Sequence, residues 1–546
     1  MIASLLVAHG IKHVVVSPGS RNAPLLIALE RQPGIETHVV IDERSAAFIA
    51  LGMSVGLKGC PVALVCTSGT APLNYAPALA EAFYRHVPLI AFTADRPEEW
   101  IDQDDSQTIV QPGIFSNFIK GTFDIPVESD DPNRIWMINR KLNDALLLAA
   151  SGIPGPVHIN VRLDEPLGEI IEIDNNESPR LINSLRPDVS SITQGIPDLT
   201  PDTSILVIAG FLPENNLSAP LRQLAGFPNV VILHEAQSNL HGGGVFIPNI
   251  DATLSRLPLD APPPRLVITI GGSLTSRKIK AYLRNLKNII HWSVGERDHA
   301  VDCFKQLSVR INTDCLTFLN NLIDFLPKSC ESASEFKRTW LEASKSALRD
   351  AETLAENAPW SDFQATEYVM KNIPEGWDLQ IGNGTSVRYA QLFGYSQIAS
   401  IHCNRGVSGI DGCTSTAIGA AFATRRHTLL LTGDMGMQYD IGALATPFIP
   451  PTFKIVVLNN GGGGIFRFIP STRSLPELQK YFVADVRLPL AKLSEAYGFE
   501  YYSAKNLAEL KSVFGRFIRD NSKSVLEIFT DGDISAKIIS RFLENT

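Results

Sequence analysis

The sequence predicts an α/β protein built from doubly wound parallel-sheet units, and three observations lead there. A chain of 546 residues holds three to four folding units at roughly 150 residues per domain. Its short β-branched runs are separated by helix-length segments, the pattern of parallel strands joined by crossover helices. Several runs end directly in glycine-rich turns, where such sheets bind ligands, because the strands point their carboxyl ends at one rim and helix N-termini offer unpaired N–H groups there.

Taken in order, residues 13–17, 37–41, 62–67, 89–93 and 157–161 read as strands of a first domain spanning 1–168. Asp164, Glu165, Pro166 and Leu167 close that pattern, and a polar stretch at 169–202, rich in Asn, Ser and Pro, reads as a linker. Residues 205–209, 230–234, 266–270 and 289–294 form a second α/β block, placed at 200–328. A charged, helix-favouring stretch at 332–357 separates it from a third domain at 358–546, with strands expected at 378–382, 428–432, 454–459 and 524–528.

Lys and Arg total 48 against 57 Asp and Glu, and a net charge of -9 dispersed over a chain only 19% charged excludes the basic stripe of a nucleic-acid binder. Hydrophobic residues make up 45%, yet no apolar run approaches the roughly 18 residues of a membrane helix, so a well-cored soluble protein is expected. The apolar opening lacks a basic leader and runs into a strand, so no signal peptide is read. Seven cysteines, odd in number and nowhere spaced C-x-x-C, fit a reducing cytosol. Eleven histidines form neither H-E-x-x-H nor a paired Cys/His cluster, so any metal is expected on oxygen ligands.

Four turns carry the chemistry. Ser17-Pro18-Gly19-Ser20-Arg21 follows the first strand and Thr67-Ser68-Gly69-Thr70 the third, while Gly433-Asp434 and Asn459-Asn460-Gly461-Gly462-Gly463-Gly464 follow successive strands of the last block. Each alone is more often a plain turn, but four together favour a ligand rim. None matches G-x-x-x-x-G-K-[ST] or G-x-G-x-x-G, which excludes a P-loop and a dinucleotide fingerprint. Asp434 and Asn460 stand 26 residues apart, one strand–helix–strand crossover, so both fall at the carboxyl ends of neighbouring parallel strands. A carboxylate, an amide and a main-chain carbonyl there suit Mg²⁺, with phosphate oxygens and water completing the octahedron; Mn²⁺ accepts the same ligands.

Gly433-Asp434 followed by Asn459-Asn460 resembles the diphosphate-anchoring motif of thiamine-diphosphate enzymes, and Asp42-Glu43-Arg44-Ser45-Ala46 resembles their cofactor-activating glutamate segment. SPGSRNAPL (17–25), DERSAAFIALG (42–52), TSGTA (67–71), TADRP (93–97), NRGVSGIDG (404–412) and NNGGGGIF (459–466) narrow the resemblance to the 2-succinyl-5-enolpyruvyl-6-hydroxy-3-cyclohexene-1-carboxylate synthase family of menaquinone biosynthesis. It runs from end to end and implies the three-domain thiamine-diphosphate-enzyme architecture. It also implies decarboxylation of 2-oxoglutarate and 1,4-addition of the succinyl carbanion equivalent to isochorismate, with CO₂ released. Thiamine diphosphate and Mg²⁺ or Mn²⁺ are the implied cofactors. A homodimer or homotetramer is implied too, because the family's cofactor bridges the first domain of one subunit and the third of another.

By that resemblance Glu43 is the catalytic carboxyl, bonded to the aminopyrimidine ring nitrogen and favouring the tautomer that removes the thiazolium proton. Asp42 and Glu43 suit a helix start equally well, with Asp42 as N-cap. Asp434, Asn460 and the carbonyl of Gly462 are the implied metal ligands. Gly433, Asn383 and Ile410 join Glu43, Asp434 and Asn460 in holding the cofactor, Ile410 as the bulky residue that folds it or else as ordinary core. Two dicarboxylate substrates call for arginine forks, and Arg21, Arg96, Arg388 and Arg405 match the family's substrate arginines, although a lone arginine is more often a solvated surface charge. Ser20 and Gln107 match polar contacts, Arg277 and Lys278 a basic pair from the middle domain, and Ile465 and Phe466 an apolar wall or core. Gly384 departs from the family's usual serine, which implies one hydrogen bond missing or supplied otherwise. The segment ahead of Leu5 is shorter than the family's.

Two other readings stay open at this point. One is another 2-oxo acid decarboxylase or carboligase, such as an acetohydroxy acid synthase, whose small neutral acceptor needs fewer carboxylate clamps. The other is an anion-binding regulatory protein that keeps the fold without the chemistry.

Overall fold

The structure, a computed structural model, describes residues 1–127, 130–165, 167, 179–181, 200, 203–212, 217–240, 244–296, 301–326, 333–484 and 488–544. The expected linker at 169–202 lies, apart from 179–181 and 200, outside the described residues. Three sheets form, each parallel in its described ladders. The first orders β1 (His13–Val16), β2 (Glu36–Val39), β3 (Val62–Cys66), β4 (Leu89–Asp95), β5 (Thr122–Ile125) and β6 (Val157–Arg162) as β2-β1-β3-β4-β6-β5. The second orders β7 (Ile205–Ala209), β8 (Val230–His234), β9 (Leu266–Ile270), β10 (Ile290–Val294) and β11 (Leu307–Ile311) as β11-β10-β9-β7-β8. The third takes β12 (Asp378–Ile381), β13 (Ser400–Cys403), β14 (Thr428–Gly433), β15 (Phe453–Asn459), β16 (Glu500–Ala504) and β17 (Ser524–Phe529) as β13-β12-β14-β15-β17-β16.

The first and third sheets therefore share one strand order, and the second repeats its first four positions. In each, the order reverses beside the first strand, and such a switch point opens a crevice at the carboxyl ends. The turns after β1 and β3 flank the first switch, those after β7 and β9 the second, and those after β12 and β14 the third. Asp434 and Asn460 follow β14 and β15, which are neighbours.

Two compact units result. Met1–Pro187 with Gly406–Arg426 and Tyr439–Phe453 holds the first sheet, and Asp188–Arg405 with His427–Gln438 and Lys454–Thr546 holds the other two apart from Phe453. In the first sheet neighbouring residues alternate between two cores. Val15, Leu64 and Ala91 face one, and Val14, Val16, Val65 and Phe92 the other, as a sheet covered by helices on both faces requires. The charged stretch before the third block forms a helix, Glu335–Asn357, that buries an alanine stripe at 343, 347, 351 and 355.

Every interior strand is legible in the sequence, and the four overlooked, β5, β11, β13 and β16, all lie at sheet edges. An edge strand is packed on fewer sides and needs no continuous apolar run. In β16, Glu500 and Ser503 are exposed. Among the described residues no helix is long and apolar enough to cross a membrane.

Candidate active site

In the first unit Glu43 opens the Glu43–Gly56 helix. Asp42 is its N-cap, accepting from the N–H groups of Arg44 at 2.9 Å and Ser45 at 3.3 Å. Asp42 therefore satisfies the helix end, and Glu43 lines a cleft of about 410 Å³ together with residues 67–71, Asn74, Asp105 and Gln107. Gly69 has φ 83°, and a Cβ there would stand 3.2 Å from Gln107 Cα, so glycine lets this turn close on the opposite wall. Gln107 itself has φ 55°, a left-handed conformation costing a non-glycine residue about 1–2 kcal/mol. Arg96 steadies its loop, donating from Nε to the Ser106 carbonyl at 2.9 Å and pairing with Asp105 at 2.9 Å.

Arg21 is buried and donates to the Leu163 carbonyl at 3.1 Å and to Glu165 at 2.9 Å, while neighbouring Ser20 is exposed. The loop around Ile410 is held by a residue with no sequence signal: buried Glu81 accepts from the N–H groups of Gly406 at 2.9 Å and Val407 at 2.8 Å. Ile410 is half-buried and lies outside this unit's cores. Gly412 rests directly on the Phe48 ring of the Glu43–Gly56 helix, leaving no room for a Cβ.

In the second unit Gly433 ends β14 and Asp434 begins the short helix Asp434–Tyr439. The Asp434 carboxylate accepts from the N–H groups of Gly462 and Met435, both at 2.7 Å. Burial raises its pKa while these backbone donors and Arg467 oppose. Gly461, Gly462 and Gly463 all have positive φ, and a Cβ on Gly462 would meet the Val483 carbonyl at 2.4 Å, so the glycine run is what lets the chain fold over Asp434. Asn460 Nδ2 donates to Asp362 at 2.7 Å, and its Oδ1 is buried with no hydrogen-bond partner. Asp362, absent from the sequence reading, also accepts from Thr530 at 2.5 Å, and burial pushes its pKa up to about 6. As the first residue of an ordinary helix, Asp362–Asn372, it carried no distinguishing pattern.

The same unit brings basic residues together. Burial lowers the pKa of Arg388, whose electrostatic neighbours are Asp251, Arg405, Arg277 and Glu235. Arg405 donates to Asn383 Oδ1 at 3.0 Å, and Ser273 donates to the Arg405 carbonyl at 2.7 Å. The Nε atoms of Arg388 and Arg405 are buried and unpartnered. Arg277 is exposed. Lys278 turns away from this cluster, donating to Ser255 Oγ at 2.5 Å and to the Leu543 carbonyl. Ile465 and Phe466 are half-buried, and Phe466 packs on Phe482 with ring centroids 5.4 Å apart. Gly384 has φ 105°, a conformation in which serine would be strained, so the departure from serine has a backbone cause.

Residues 1–114 match the thiamine pyrophosphate enzyme N-terminal TPP binding domain, and residues 382–528 the thiamine pyrophosphate enzyme C-terminal TPP binding domain. The chain is 39% identical over 540 residues to a protein of Porphyromonas gingivalis named 2-succinyl-5-enolpyruvyl-6-hydroxy-3-cyclohexene-1-carboxylate synthase, covering 96% of this chain and 93% of the relative. Proteins of the same name from Flavobacterium psychrophilum, covering 98% of this chain and 96% of the relative, and Cytophaga hutchinsonii, covering 99% and 97%, are each 37% identical to it. The chain belongs to the 2-succinyl-5-enolpyruvyl-6-hydroxy-3-cyclohexene-1-carboxylate synthase family of thiamine pyrophosphate enzymes.

Proposed function

We propose that this chain decarboxylates 2-oxoglutarate and adds the resulting succinyl unit to isochorismate, giving 2-succinyl-5-enolpyruvyl-6-hydroxy-3-cyclohexene-1-carboxylate and CO₂, with thiamine diphosphate and Mg²⁺ or Mn²⁺ as cofactors. The observation that carries it is Asn460, whose amide nitrogen is committed to Asp362 while its buried oxygen has no partner. An orphaned buried oxygen is costly unless a ligand completes it, and a hard cation held with Asp434 and the Gly462 carbonyl does so. By the family resemblance Gly433 and Asn383 of the second unit, and Ile410 of the first, are each assigned to cofactor binding. When bound, thiamine diphosphate supplies an electron sink for the carbon left by decarboxylation.

The chain's own residues do the rest. Glu43 holds the proton at the pyrimidine ring nitrogen. Arg388 and Arg405, with Arg277, receive substrate carboxylates through paired N–H donors. Arg21, Arg96, Ser20 and Gln107 orient the polar ends, and Ile465 and Phe466 exclude water from the reacting carbon; Lys278, bonded to Ser255 and Leu543, takes no part. The work is divided among domains at 1–168, 200–328 and 358–546, in the cytoplasm.

The reading includes a homodimer or homotetramer whose active site joins two subunits. Ile41 is 83% exposed, Val110 57% and Leu73 46%, and each adjoins the Glu43 cleft in sequence. Large apolar side chains left in water at a catalytic rim favour a covering subunit.

The test mixes protein with thiamine diphosphate, Mg²⁺, 2-oxoglutarate and isochorismate, following isochorismate loss optically and product by mass spectrometry. A succinyl adduct dependent on both substrates and on cofactor is expected. Cofactor binding without isochorismate consumption would move the assignment to another carboligase.

A further inference from the structure

We propose that His13, Glu36 and His38 form a second metal site, taking one divalent cation of the Zn²⁺ class, separate from the oxygen ligands at Asp434 and Asn460. His13 lies on β1 directly opposite Glu36 on β2. His38 follows two residues along β2, so all three side chains fall on one face of the sheet. His13 Nδ1 is 3.2 Å from His38 Nε2 and 3.6 Å from Glu36 Oε2, and the three ligand atoms lie within 4.8 Å of one another.

Those separations match a coordination polyhedron. Nitrogens bonded to a tetrahedral Zn²⁺ at about 2.0–2.1 Å stand about 3.3–3.4 Å apart. A hydrogen bond between the two imidazoles accounts for the first distance alone; the carboxylate oxygen converging on the same point is what a cation adds. The His38 ring packs against Phe422 and Phe448, with centroids 4.7 and 5.3 Å away. Glu36 is 62% exposed, which supplies an entry path and an open position for water. Lys12 and Arg425 oppose a cation here, and the Glu36 charge offsets part of that. A bound ion would pin edge strand β2 through His38, five residues ahead of Glu43.

The test uses the metal-free full chain in excess Mg²⁺, which fills the oxygen ligands. It is titrated with Zn²⁺ against a chromophoric chelator and with Co²⁺ by visible absorption. One Zn²⁺ per chain is expected, with tetrahedral Co²⁺ bands and no thiolate charge-transfer band. Loss of His13 as a ligand (His13→Gln) should weaken Zn²⁺ by more than about 100-fold, beyond what loss of an outer partner costs, and Glu36→Gln by at least about tenfold. Glu36→Gln tests the site at an exposed side chain without touching the core. Cys60→Ser, at an exposed thiol, should change nothing. No Zn²⁺ bound by the wild type, or wild-type Zn²⁺ affinity kept in both His13→Gln and Glu36→Gln, overturns the proposal.

Discussion

Gly52 lies in the Glu43–Gly56 helix where the helix Cys413–Thr424 crosses it, and replacing it with alanine should damage both stability and turnover. A Cβ at Gly52 would stand 1.9 Å from the Thr416 carbonyl oxygen, and one at Gly419 2.0 Å from that of Ile49. Real Cβ contacts do not fall below 3.0 Å, so Gly52→Ala must part the helices by about 1.1 Å. The obstacle is backbone, so no side-chain rotation relieves it. Overpacking of this kind costs about 1–3 kcal/mol, against roughly 1 kcal/mol returned by alanine's better helix propensity. The net expectation is a loss of up to about 2 kcal/mol. Glu43 is the first residue of the displaced helix, and a misplacement near 1 Å can cost on the order of 100-fold in rate. Denaturant unfolding and turnover at saturating cofactor measure the two effects. Gly394→Ala is the matched control, since a Cβ there has nothing within 4 Å and its φ is ordinary. A Gly52→Ala protein as stable and as active as the Gly394→Ala control would refute the close crossing.

Three further outcomes are expected. Glu43→Gln should abolish turnover while thiamine diphosphate affinity stays within about an order of magnitude, read by cofactor titration beside the substrate assay; a variant that still turns over removes Glu43 from the chemistry. Asp362→Ala frees the Asn460 amide, so half-saturation by Mg²⁺ should rise about 10–100-fold with kcat largely recovered at high Mg²⁺; an unaltered Mg²⁺ requirement would mean that Asp362 does not orient the ligand. Burial pushes the Asp440 carboxyl up to about 7 from its ordinary 3.8. The folded state thus binds this proton more tightly than the unfolded state, so the contribution is complete below about pH 4 and lost as pH rises through 7. Asp440→Asn should flatten the fall in denaturant midpoint between about pH 4 and 7, and an identical pH slope in wild type and variant would count against it.

Much of the candidate site was legible because its residues sit in contiguous turns. The glycines at 461–463 could be read as a turn able to bring a main-chain carbonyl close, and Asp434 with Asn460 as candidate ligands one crossover apart, because strand–helix–strand spacing places such residues without any side-chain information. Arg388 and Arg405 were readable only as arginines near turns. The burial of Arg388 beside Arg405, Arg277, Asp251 and Glu235 depends on packing that no local pattern encodes. Lys278, grouped by sequence with Arg277, points instead to Ser255 and Leu543, since consecutive helix residues face different directions.

By itself the sequence determined the α/β class, the interior strands, the glycine-rich rims and the residues that resemble a thiamine-diphosphate site, because hydrophobic period and turn chemistry are local properties of the chain. Only the tertiary structure decided the edge strands, the common order of the three sheets, and the acids that hold candidate site residues: Glu81 under Gly406 and Val407, and Asp362 behind Asn460. It also brought His13, Glu36 and His38 together across two strands, where the histidines' spacing in sequence suggested no nitrogen-ligated metal. A buried carboxylate or a cross-strand cluster is defined by what the fold places opposite it, and a partner tens to hundreds of residues away leaves no mark on its immediate neighbours in the chain.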